Sequence, residues 1–84
     1  MSRALVDLAF DEDRLTREEA VAETAVLVGL ANPDVAFRLV LVHGPGGGWP
    51  LVELSGGAGD VCQVLGDLWN MTQWEAVQAL EPAE

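Results

Sequence analysis

The chain has 84 residues, half of them hydrophobic, with 14 acidic side chains against four arginines and no lysine, for a net charge of -10. That describes one domain, 1–84, with a single modest core, too apolar for a disordered tail and too small for a deep cleft with a supporting shell. The charge excludes direct binding of nucleic acid or anionic membranes, since phosphate contacts need lysine and arginine, and leaves either plain solubility or a partner that is itself basic. Cys62 and His43 are the only residues of their kinds. An internal disulfide and the common zinc spacings are therefore ruled out, and no cofactor is expected. No apolar run is long enough to cross a membrane. "MSRALVDLAFDED" lacks a full signal-peptide core and cleavage site, so a cytoplasmic protein is expected.

In chain order, "RALVDLAF" (3–10) reads as an edge strand or a short helix, and "DEDR" (11–14) as a charged turn. "TREE" (16–19) matches a capping box, with Thr16 capping the third helical amide and Glu19 reaching back. A helix therefore starts at Arg17. Its end is ambiguous. Val21, Ala25 and Val28 keep helical spacing, yet 20–31 is apolar almost all round, and "TAVLV" favours strand. One buried helix to about residue 30, or a short helix followed by a strand at 24–28, both fit.

"NPD" (32–34) is a turn. "VAFRLVLV" (35–42) is apolar on both faces and reads as a central strand. "HGPGGGWP" (43–50) is a glycine loop, and "WPLVELSG" (49–56) the return strand of a hairpin, with Pro50 at its start or on an edge. Asp60 reads as the N-cap of a second helix, with Gln63 closing a box; Val61, Val64, Leu65 and Leu68 form its buried stripe. "QWEAVQAL" (73–80) reads as a closing strand or a last helical turn, and "EPAE" as a tail. The order predicts an α+β fold: two helices packed on a small antiparallel sheet containing a central β-hairpin, as a ferredoxin-like βαββαβ arrangement or an inhibitor-like variant.

Few residues suggest chemistry. "GPGGG" lacks the following helix and the lysine of a phosphate loop. His43 has Glu53 and Ser55 on the facing strand, but nothing fixes a triad. Cys62, in the first helical turn, reads as a small core residue. The acids at 11–13 and 18–19 match no EF-hand pattern and read as a solvated face, so no metal site is expected. Trp49, Trp69 and Trp74 are the largest apolar groups; Trp69 continues the helix stripe, and Trp49, at the hairpin mouth, is the best candidate for a partly exposed contact.

"AETAVLVGLANPDVAFRLVLVHG" and "WPLVELS" resemble phage uracil-DNA glycosylase inhibitors over about residues 20–55. Those are short acidic proteins whose Glu-Ser-Ile strand lies along the enzyme's DNA-binding cleft, beside an apolar pocket. The resemblance implies that Glu23, Thr24 and Ala25 stand for that signature and Val26 to Val28 for the apolar strand after it. It also implies that Val35, Leu39, Leu41, Val52 and Leu54 line a pocket with Val26 and Val28. Two of the three signature residues differ, and 60–71 here is helical where the family has strands. With Glu18, Glu19 and Trp49 added to the contact set, the expectation is a non-enzymatic acidic DNA mimic, of phage type, that blocks a basic DNA-processing protein. Uracil-DNA glycosylase is the most specific target, and an anti-CRISPR role the sibling reading. A ferredoxin-like dimerisation or ligand-sensing module, using the sheet face or the glycine loop, is the alternative from another class.

Overall fold

The computed structural model describes residues 1–82. Its elements are β1 (Ser2–Asp7), α1 (Arg17–Ala31), β2 (Ala36–Leu41), β3 (Leu51–Gly56), α2 (Ala58–Trp69), α3 (Gln73–Ala79) and β4 (Leu80–Pro82). Every strand pairing is antiparallel, and the sheet order is β2-β3-β1-β4. The fold is α+β, with three helices packed on a four-stranded sheet.

The disputed stretch 20–31 is helix. Thr16 accepts from the Glu19 amide at 3.2 Å, and Glu19 accepts from the Thr16 amide at 3.0 Å, so two free donors of the first turn are satisfied together. Nothing between that box and Asn32 breaks the helix. The strand reading of 24–28 is therefore corrected: residues 23 to 28 offer no strand edge, because their amides bond within the helix. β propensity loses here to uninterrupted helix propagation from a strong start.

One stripe of α1, with Ala20 and Val28 buried, meets Val61, Val64 and Leu65 of α2 and the inner face of the sheet, supplied by Ala4, Val6, Val52 and Leu54. Of these, Ala4, Val52, Leu54, Val61, Val64 and Leu65 are fully shielded from solvent. Burying each such Val or Leu is worth about 1.5–3 kcal/mol, so this layer holds the domain together.

Several expectations shift. β1 lies between β3 and β4, so it is an interior strand rather than an edge. β2, expected at the centre, is the edge; its second apolar face is simply open, with Leu41 46% exposed. A register shift between Leu39 and Leu41 interrupts it. α2 starts after Gly57, not Asp60, whose carboxylate instead accepts from Asn32. Residues 73–79 are a full helix under a second capping box, Thr72 with Glu75, and the supposed tail supplies β4. The glycine loop is a hairpin connection: Gly46 and Gly47 sit at φ 72° and 75°, and a side chain at Gly44 would collide with the Trp49 carbonyl.

Candidate functional site

The surface that gathers most of the expected contact residues is the outer face of α1. With Arg17, Ala20, Val21, Thr24, Val28 and Ala31 wholly or partly covered, the helix exposes Glu18, Glu19, Ala22 and Glu23 in its first half and Ala25, Val26, Gly29 and Leu30 in its second. Val26 is 62% and Leu30 78% exposed. The steps Glu19 to Glu23 and Val26 to Leu30 are each one i,i+4 interval, so acids and apolar groups form one continuous strip about 16 Å long. It is acidic at the N-terminal end and greasy at the other.

The acids sit where a helix tolerates them best. Carboxylates in the first turn face the positive end of the helix dipole. Hydrogen bonds from the Thr16 backbone and hydroxyl hold the Glu19 carboxyl below its ordinary value. Seven of the 14 acids fall between residues 7 and 23, against two arginines, Arg14 and Arg17. Arg17 is already engaged: its Nη1 donates to the carbonyls of Gly48 at 2.9 Å and Val42 at 3.1 Å, tying the glycine loop to the start of the helix.

Beside this strip a cleft of about 390 Å³ opens between α1, the β1–α1 connection and the end of α2. Asp7, Asp11 and Glu23 stand around it with Arg14, and Phe10, Leu27 and Trp69 form its apolar wall. Trp69 is fixed by its indole N–H, which donates to the Asp7 carbonyl at 2.8 Å. Phe10 meets Trp49 edge-on, ring centroids 5.2 Å apart.

The expected residues thus divide. Glu18, Glu19, Glu23, Ala25 and Val26 share the exposed strip, and Thr24 lines the cleft. Val28 is 1% exposed and points into the core, so its assignment to a contact surface is corrected. Trp49 is 37% exposed, at the far side of Phe10. The expected apolar pocket does not form. Val35, Val52 and Leu54 are packed in the core, Leu39 is half-buried beneath α1, and Leu41 lies on the other face of the sheet. The register shift after Leu39 separates them: plain alternation would keep Leu39 and Leu41 on one face, but Leu39 pairs with Val52 on the inner face and Leu41 with Leu51 on the outer. With Glu23 to Ala25 helical, the strand signature that carried the resemblance is not formed either.

Sequence reasoning missed Leu30, which i,i+4 continuation from Val26 would have placed on the strip. It named Trp74 but did not foresee its exposure, 73%, beside Val77 on α3. The signal for α3 was present: "TQWE" repeats the spacing of "TREE". The hairpin register does not place Glu53 or Ser55 opposite His43. Glu53 pairs with Arg38 and Ser55 with Ala36, up the hairpin from the loop that holds His43. Among the described residues, no group of three or more His, Cys, Asp or Glu is placed to hold a metal ion, and no helix is long and apolar enough to cross a membrane.

Comparison with protein-family models, curated proteins and solved structures finds no match to this chain.

Proposed function

We propose that this chain is a non-enzymatic, cytoplasmic binding protein that occupies the basic groove of a DNA-processing protein in place of DNA. The observation that carries this reading is the two-part strip on α1. Glu18, Glu19 and Glu23, with Asp11, Glu12 and Asp13 nearby, offer carboxylates where a groove expects phosphates; Val26 and Leu30 offer an apolar anchor at the end of the row. Complementary fields speed encounter with a basic groove, and burial of the anchor slows release. The carboxylates are carried by a helix rather than a strand, so the mimicry rests on charge placement and not on a strand signature.

The test is competition. The tagged protein is used to capture partners from lysate, and the bound fraction is challenged with duplex DNA; uracil-DNA glycosylase is assayed separately as a named target. The expected result is capture of a DNA-binding protein that excess DNA releases. Glu18→Gln with Glu23→Gln should weaken capture at least tenfold, and Val26→Ser with Leu30→Ser should mainly raise the off-rate. Stoichiometric inhibition of the glycosylase would identify it as a target, whereas no inhibition at excess inhibitor removes that enzyme. Captured proteins that DNA does not displace, or capture indifferent to both pairs of substitutions, would refute the mimicry.

A further inference from the structure

The face of the sheet turned away from the helices differs from the rest of the surface. Arg3, Leu5 and Asp7 of β1, Leu51 and Glu53 of β3, Arg38 and Leu41 of β2, and Glu81 of β4 stand on it, as their register requires. Half of the chain's arginines are here. Glu53, its side chain only 13% exposed, lies 3.5 Å from Arg3 and 3.4 Å from Arg38, and Arg3 also reaches Glu81 at 3.8 Å. In a chain of net charge -10, two arginines against three acids bring this face within one charge of neutral. Its leucines are open as well, Leu5 at 38% and Leu41 at 46%.

We propose that this face binds a second copy of the chain, sheet against sheet, about a two-fold axis running along the strands. The reading goes beyond the proposed function and does not rest on it, because α1 lies on the opposite side of the sheet. Two strongly acidic molecules repel one another wherever acids face acids, so self-association needs a surface with balanced charge and apolar area. This face has both, and it is self-complementary under the proposed symmetry. Rotation about an axis along the strands reverses the order β2-β3-β1-β4, laying β2 of one copy over β4 of the other and β1 over β3. Arg38, 65% exposed in its side chain, then stands over the strand that carries Glu81, 47% exposed, and symmetry repeats the pairing. Arg38 is level with Leu5, and Glu81 with Arg3, so the two lie about 7 Å apart along the strands, within reach of a guanidinium given the usual rotation between packed sheets. Leu5 on β1 stands over β3 of the other copy, level with Glu53 and two residues from Leu51, so the central strands bring Leu5 and Leu51 together beside the Arg3–Glu53 ion pair, with Leu41 on the outer strand.

Sedimentation of the full chain over a concentration series tests this. The expected result is a reversible dimer of twice 8.9 kDa. Leu5→Glu should weaken it roughly tenfold or more with an unchanged circular dichroism spectrum. Arg38→Glu should also weaken it, and adding Glu81→Arg to that variant should restore it, which a merely structural role for either residue would not produce. Val26→Ser with Leu30→Ser, on α1, should leave the dimer intact. A monomer at every concentration overturns the proposal. So does a dimer that survives Leu5→Glu, one that the α1 pair abolishes, or one that the charge reversal fails to restore.

Discussion

Asn32 is 8% exposed and, among the described residues, is the one buried polar side chain. It ends α1 and joins three elements. Its Nδ2 donates to Asp60 Oδ1 at 3.0 Å and to Gln63 Oε1 at 2.8 Å, and its Oδ1 accepts from the Asp34 amide at 2.9 Å. Three such bonds are worth about 1 kcal/mol each, somewhat more for the one to a carboxylate. Asp60 is half-buried and Gln63 exposed, so both recover part of the loss from water. Asn32→Ala should therefore cost about 2–3 kcal/mol, from a total of roughly 4–13 kcal/mol for a domain of this length. That corresponds to a fall in Tm of about 10–20 °C. Asn32→Asp should cost more at neutral pH, because it removes the donor and sets a second carboxylate beside Asp60. Burial and that neighbour raise the new carboxyl's pKa in the folded state above its unfolded value of ~3.9. A raised folded value means the native state binds more protons. The deficit relative to wild type is thus full at neutral pH and shrinks as pH falls through the raised folded value toward the unfolded one. Urea denaturation of the three proteins at neutral and mildly acidic pH measures this. An Asn32→Asp protein as stable as wild type at neutral pH, or one whose relative deficit grows on acidification, would refute the account of this junction.

The two capping boxes make a further prediction. Hydrogen bonds from Thr16 and Thr72 lower the pKa values of Glu19 and Glu75, so their stabilisation is present above the unfolded value and lost as pH falls through the lower folded one. Thr16→Ala and Thr72→Ala should each cost about 1 kcal/mol at neutral pH, and acid titration of the melting temperature should be shallower in both. In the core, Leu65→Ala should cost about 2–5 kcal/mol by chemical denaturation, whereas Trp74→Ala, at an exposed position, should change stability by no more than about 0.5 kcal/mol.

Much of this fold was legible where one local signal dominates. "TREE" placed the start of α1 to the residue, the Val61–Leu68 stripe gave α2, and the glycine loop between two β-rich runs gave the hairpin. What escaped depended on neighbours distant in sequence. β2 reads as a central strand because apolarity on both faces does not distinguish a helix-covered face from one left open. β4 is three residues long and carries no period of its own; it is a strand because Ser2, Arg3 and Ala4 hold it there. Asp60 has the chemistry of a cap, but Asn32, 28 residues earlier, takes its carboxylate. The site divided in the same way. The acids of α1 could be named from the sequence, yet only the direction in which the helix turns separates exposed Val26 from buried Val28.

The position of β1 between β3 and β4 also governs when this protein can fold. Ser2 pairs with Gly56 on one side and Pro82 on the other, so β1 has no partner for the first fifty or so residues that follow it. At ribosomal speeds of about 5–20 residues per second, it waits roughly 3–10 s before β3 exists, and longer for β4. Throughout that interval α1 and the hairpin can form from local contacts, but the core layer cannot close around Ala4 and Val6. The strand made earliest is thus among the last to be paired, and the dense negative charge that follows it keeps nascent chains apart during the wait.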